Sequence, residues 1–141
     1  GALREGYVLD HIKAGKAMTI YHDLKLDKLD CTVAIIKNAR SNKMGKKDII
    51  KVECPVENLD LDILGFIDHN ITVNVIKDEK IVAKKELKLP NQVVNVIKCK
   101  NPRCITSIEQ GLDQIFVLAD KEKEVYRCKY CEEKYTGKRN K

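Results

Sequence analysis

The chain has 141 residues, 27 Lys and Arg against 21 Asp and Glu, a formal charge of +6 and six cysteines. No run approaches the roughly eighteen consecutive apolar residues of a membrane helix, and the first residues lack the charged, apolar and small-residue regions of a signal peptide, so a soluble cytoplasmic protein is expected. The basic excess is thin: 16 cations face 14 anions over residues 1–90, and 11 face 7 over residues 91–141, which excludes the one-sided basicity of a duplex binder.

The length suits two small domains, and the placement of the cysteines divides them near Pro90-Asn91. Tyr7 to Ile12 alternates as a strand, with Tyr7, Leu9 and His11 on one face and Val8, Asp10 and Ile12 on the other. After Gly15, the spacing of Ala17, Ile20, Tyr21 and Leu24 predicts an amphipathic helix over 16–26. Cys31 to Lys37 reads as a strand. A polar stretch, Asn38 to Lys43, and a glycine turn at Met44-Gly45-Lys46 lead into a strand over 47–53, with Ile50 and Val52 on one face and Ile49, Lys51 and Glu53 on the other.

Pro55 ends that strand, and Asn58 or Asp60 can cap a second helix that carries Leu61, Ile63, Leu64 and Ile67 and stops near Asn70. Ile71 to Ile76 and Ile81 to Leu87 form a strand pair around the turn Lys77-Asp78-Glu79-Lys80. The predicted class is α+β: a ferredoxin-like α/β sandwich with an antiparallel sheet over 1–91, followed by a small all-β module over 92–141. Cys31 and Cys54, isolated in apolar stretches, read as buried free thiols rather than as part of a disulfide framework.

The second segment holds Cys99, Cys104, Cys128 and Cys131, spaced C-x4-C and C-x2-C. Two short chelating loops of this kind close around one tetrahedral ion, and four thiolates suit a structural zinc with no open position for catalysis. A segment of about fifty residues buries too little apolar surface to be stable without such a staple. Strands are expected over 93–98, 104–107, 115–119 and 124–127, as in a zinc-ribbon or rubredoxin-like module.

No catalytic constellation is visible. His11, His22 and His69 lie in no pattern with a nucleophile and an orienting acid, and the chain has no Walker loop, Rossmann fingerprint or H-E-x-x-H helix. Polar residues on strands are more suggestive. Asp10, His11, Lys51 and Lys84 combine an acceptor for ribose hydroxyls with cations for phosphates. The plain alternative is that all four are exposed strand positions.

The blocks Gly6-Tyr-Val-Leu-Asp-His-Ile12, Met44-Gly-Lys-Lys-Asp-Ile-Ile-Lys-Val-Glu53 and Thr72-Val-Asn-Val-Ile76, with Cys99, Cys104 and Cys128-Lys-Tyr-Cys131-Glu, follow one another in fixed order. In this combination the chain resembles the regulatory chain of aspartate carbamoyltransferase, a non-catalytic subunit of pyrimidine biosynthesis, over nearly its whole length. The resemblance implies an allosteric domain that binds CTP or ATP, with Asp10 on the ribose, His11 and Lys84 on the phosphates and Lys51 on ribose and base. Ala2, Leu3, Val8, Asn74, Ile76 and Ile81 would line the nucleotide, and Lys47 would be an accessory cation. It also implies a zinc domain that docks on the catalytic chain near Asn101, Tyr130 and Glu132, and regulatory homodimers, three of which join two catalytic trimers. The rival readings are a nucleic-acid-binding zinc ribbon and a small metalloenzyme. The first requires salt-dependent binding and aromatic platforms, for which the ribbon offers Phe116, Tyr126, Tyr130 and Tyr135.

Overall fold

A computed structural model describes residues 4–55 and 59–137. They form two compact units, the first ending at Lys88 and the second beginning at Leu89.

In the first unit the elements run β1 (Glu5–Lys13), α1 (Ala17–Asp23), a single 3-10 turn (Leu26–Lys28), β2 (Thr32–Ser41), β3 (Gly45–Glu53), α2 (Leu61–Asp68), β4 (Thr72–Lys77) and β5 (Lys80–Glu86). The sheet order is β2-β3-β1-β4-β5, and every neighbouring pair is antiparallel. β3 lies between β1 and β2, so the connection through α1 is the split crossover of the ferredoxin-like arrangement, and β5 is added as an edge hairpin. Asp78 and Glu79 both have positive φ, 51° and 65°, which gives that hairpin the twist of its strands.

Alternation along the strands sends Tyr7, Leu9, Ile50, Val52, Val73 and Val75 into one core with Ile20, Leu64 and Ile67 from the two helices. Asp60 caps α2 by accepting from the backbone N–H groups of Asp62 and Ile63; the alternative cap, Asn58, lies outside the described residues. Gly65 lets α2 approach the chain at Lys88, whose carbonyl oxygen occupies the space a Cβ would take.

Three expectations change in this unit. Ile12 is fully buried with Tyr7 and Leu9, not on the face of Val8. The cause is a bulge: Asp10 and His11 together oppose the single β3 residue between Ile50 and Asp48, and His11 takes a left-handed φ of 61°, which shifts the alternation by one. The polar stretch after Lys37 is not a loop, since β2 continues to Ser41 past a second bulge at Asn38, φ 59°. Cys31 and Cys54 are not free thiols. They are joined as a disulfide, with Cα atoms 5.6 Å apart, because they occupy the row just beyond the Thr32–Glu53 pair of β2 and β3, where opposed side chains meet. The isolation of each cysteine in the sequence gave no hint of that register.

The second unit contains β6 (Gln92–Val94), a one-turn helix α3 (Ile105–Ile108), β7 (Ile115–Asp120) and β8 (Val125–Cys128), with a sheet in the order β6-β7-β8. The strand expected over 104–107 is helical instead, and the first strand stops at Val94. Ser107 N–H donates to Cys104 O at 2.9 Å and Glu109 N–H to Ile105 O at 2.8 Å, so the chain turns after the cysteine rather than extending. Val93, Phe116 and Tyr126 fill a small core around the buried cysteines. The Tyr126 hydroxyl donates to Pro90 O at 2.6 Å.

Candidate metal centre and nucleotide face

Four sulfurs converge in the second unit. The Sγ atoms of Cys99, Cys104, Cys128 and Cys131 all lie within 4.8 Å of one another, with 3.6 Å between Cys99 and Cys131 and 3.8 Å between Cys104 and Cys128. A tetrahedral ion with metal–sulfur bonds of about 2.3 Å separates its ligands by about 3.8 Å, so the donor set and its spacing fit one metal ion.

The protein holds this geometry through polar contacts on both loops. Gln114 Oε1 accepts from the Cys99 backbone N–H at 2.9 Å. Gln114 is itself fixed by its N–H to Asn95 Oδ1 at 2.8 Å, while Asn95 Nδ2 donates to Asp113 at 3.1 Å. The buried Thr106 hydroxyl lies 3.1 Å from Cys104 Sγ. On the second loop, Glu132 N–H donates to Cys128 O and Lys129 N–H to Ile115 O, both at 2.9 Å.

Burial, with the neighbouring Cys131 and Cys128 thiols, pushes Cys99 up to about 12. Burial also acts on Cys104, but hydrogen bonds from the side chain and backbone of Thr106 and from the Cys128 and Cys131 thiols bring it down to about 7. Four thiols crowded together give up all their protons only to a cation, so metal uptake releases protons and weakens as pH falls.

A donor to a ligating sulfur lowers the charge it presents and fixes its lone pairs. Thr106→Val is therefore expected to speed loss of metal to a chromogenic chelator by about tenfold, and Thr106→Ser to restore the slow rate. Equal rates in all three would show that the hydroxyl does not act on the metal.

In the first unit the register places the candidate residues in one row across the sheet. Lys51 opposes Ala34 and Val8, Val8 opposes Asn74, and Asn74 opposes Lys84. Each of Lys51, Val8 and Asn74 lies between two core residues of its strand, so the row is on the face away from the helices. Asp10 is two residues along from Val8, opposite Thr72; Ile76 lies in the other direction, opposite Gly6 and Ile81. Ala2 and Leu3 lie outside the described residues.

Asp10 Oδ1 accepts from Lys47 Nζ at 2.9 Å and from the His11 backbone N–H at 2.6 Å, and His11 Nδ1 is 2.9 Å from Thr72 Oγ1. Burial pushes the Asp10 carboxyl up, but the hydrogen bonds from Lys47 and His11 and their positive charges outweigh it and hold the group below its ordinary value. A depressed carboxyl stabilises the fold fully above its unfolded-state value of about 3.9 and loses that contribution as pH falls through the lower folded value. Acid unfolding of Asp10→Asn should accordingly show a shallower fall in stability below pH 4 than the parent chain. Identical acid profiles would count against the Asp10–Lys47 link.

Two contributors escape the sequence reading. Thr72 fixes the His11 ring, and its only signal is that it shares a strand face with Asn74. Asp48 is fully buried and binds three backbone N–H groups, from Gly15 and Ala17 through Oδ2 and from Asn38 through Oδ1. Its signal was present in the sequence: it has the same strand parity as Ile50 and Val52, a charge on an apolar face.

The proposed docking residues lie on the metal loops. Asn101 Oδ1 accepts from the Arg103 N–H at 3.0 Å, and Asn101 O from the Ser107 hydroxyl at 2.8 Å. Tyr130 is 41% exposed, and Glu132, also exposed, has φ 65° and gives its carbonyl to Arg127.

A ferredoxin-like sheet with a polar row on its open face, followed by a module built on four converging cysteines, defines a two-unit α+β protein with a metal-binding second unit. Residues 1–88 match the family profile described as aspartate carbamoyltransferase regulatory chain, allosteric domain, and residues 91–141 match that of the metal binding domain. Chains named aspartate carbamoyltransferase regulatory chain are similar throughout. That of Clostridium acetobutylicum is 53% identical over 136 residues, covering 96% of this chain and 92% of its own. That of Clostridium tetani is 50% identical over 134 residues, covering 95% and 93%, and that of Bifidobacterium longum is 43% identical over 132 residues, covering 94% of each. The chain belongs to the aspartate carbamoyltransferase regulatory chain family.

Proposed function

We propose that the chain is a non-catalytic subunit that binds CTP or ATP on the open face of its first sheet and docks on catalytic chains through its second unit, with Zn2+ as the metal. The observation that carries the nucleotide reading is the single row Lys51–Val8–Asn74–Lys84, with Asp10 and His11 one step along it. Cations at intervals along a flat polar face, an acceptor for ribose and apolar side chains at Val8, Ile76 and Ile81 are what a nucleoside triphosphate requires. Asn74 Oδ1 is buried and has no hydrogen-bond partner among the described residues. An exocyclic amine of cytosine or adenine would satisfy it. The functional division then falls at residue 91, with residues 92–141 as the docking domain.

The docking reading rests on the surface of the metal loops. In the same unit, the chain that follows Asn101 exposes apolar residues at Ile105, Ile108 and Leu112, with Ile108 67% exposed. Exposed apolar side chains of this kind suit a protein interface. Zinc is the fitting ion because an all-thiolate tetrahedral set favours it and leaves no open position. In the proposed assembly, regulatory homodimers bridge two catalytic trimers in the cytoplasm. Nucleotide bound more tightly to one quaternary state shifts the population toward that state. The chain contributes binding and a rigid link but no reacting group.

The test is assembly: the zinc-loaded chain is mixed with catalytic trimers of an aspartate carbamoyltransferase, and the complex is sized with and without CTP and ATP. A larger complex whose aspartate saturation curve moves with nucleotide is expected. No complex with any such trimer, zinc being present, would sink the docking reading.

A further inference from the structure

We propose that Cys31 and Cys54 are a reversible dithiol–disulfide couple, and that its oxidised form staples the strand pair behind the nucleotide face so that effector binding responds to thiol oxidants. The two residues close the row next to Thr32–Glu53, with Cα atoms 5.6 Å apart, a separation at which a disulfide forms without backbone movement. They are the two cysteines outside the metal cluster, so their oxidation does not compete with metal binding.

Exposure assigns their roles. Cys31 is partly exposed and Cys54 only 4% exposed, so an incoming disulfide reaches the Cys31 sulfur first. The Cys31 thiolate attacks a low-molecular-weight disulfide RSSR, forming a mixed disulfide and releasing one thiol RSH. The Cys54 thiolate then displaces the second RSH. One S–S bond of the oxidant breaks and one forms in the protein. Two electrons pass from the cysteines to RSSR, and the two thiol protons leave with the two RSH.

The position of the couple connects it to the effector face. β2 is an edge strand, hydrogen-bonded only to β3, so nothing else in the sheet holds its first residues. The row Ala34–Lys51 at that end of the nucleotide face is three residues from the staple on each strand. Cys54 N–H also donates to Glu5 O at 3.2 Å, tying the same point to the start of β1, the strand that carries Val8, Asp10 and His11. Reduction leaves the start of β2 held only by its ladder with β3 and by the packing of Val33 and Ile35, which loosens the outer support of Lys51.

This effector response rests on the nucleotide reading above; the pairing of the thiols does not. The experiment equilibrates the metal-loaded full chain in glutathione mixtures from fully reduced to fully oxidised, traps free thiols by alkylation and weighs the peptides. Cys31 and Cys54 should lose alkylation together while the four metal cysteines keep their thiols. The unfolding midpoint of the first unit should rise by roughly 15 °C on oxidation, as expected for closing a loop of this length in a domain of this size. The CTP dissociation constants of the two forms should differ by at least about fivefold, the lower end of ordinary site–site coupling. Cys31→Ser should abolish both responses. A glutathione adduct on Cys31 with Cys54 still alkylated overturns the couple. Equal CTP constants in the two forms overturn the effector response. CTP binding to neither form removes the nucleotide reading itself, and the peptide masses still decide the couple.

Discussion

Cys128→Ser is expected to abolish metal binding by the second unit and, with it, docking on the catalytic chain, while the first unit keeps its nucleotide affinity. The four sulfurs are the centre of a module whose other core consists of Val93, Phe116 and Tyr126. Structural zinc supplies such modules with about 10 kcal/mol or more of folding free energy. Serine removes a thiolate that its hydroxyl does not replace. Bound zinc should fall from one equivalent per chain to under about a tenth, and amide protection should disappear from β6 to β8 alone. Chelation of the parent chain should give the same pattern. The decisive control is a CTP titration of the variant: an affinity that collapses with the metal would show that the two units do not work independently.

Lys84→Ala should weaken triphosphate binding by about thirtyfold, equivalent to losing one charged hydrogen bond of about 2 kcal/mol, without lowering the stability of the first unit. Lys84 is exposed on the hairpin strand β5, so truncation leaves no cavity. Nucleoside without phosphates should bind the variant and the parent alike, because the lost contact is to phosphate. Asp10→Ala should reverse that pattern, weakening ribose-bearing ligands of every phosphate length and releasing Lys47 from its only ion pair among the described residues. If neither variant changes CTP affinity in calorimetry, the open face is not the effector site.

Much of this arrangement is legible in the sequence because it is carried by period and spacing. Ile50 and Val52 alternate with Lys51 in strict period two, and that alone puts the lysine on the open face. The cysteine spacing fixes the metal loops in the same way. Where the reading failed, the cause was a single inserted residue or a distant partner. At β1 a bulge residue, His11, reversed the face of Ile12, and no local pattern announces a left-handed histidine. Cys31 and Cys54 are separated by 23 residues, and only the β2–β3 register, itself shifted by the bulge at Asn38, brings them together. The turn after Cys104 was misread as a strand because Ile105, Thr106 and Ile108 are the residue types of strands, whereas the loop's hydrogen bonds decide the local backbone.

Asp48 acts as a register pin for β3 against β2 and the segment that follows β1. Its two oxygens meet N–H groups from the turn before α1, from the first turn of α1 and from the bulge of β2, three points fixed in three different segments. Sliding β3 by one residue would expose Ile50 and Val52, bury Lys51 and leave all three N–H groups without an acceptor. Only one frame satisfies the carboxylate, and it is the frame that aligns Lys51 with Ala34 and Val8. A buried acid on the core face thus determines which side chains β3 presents on the opposite, open face.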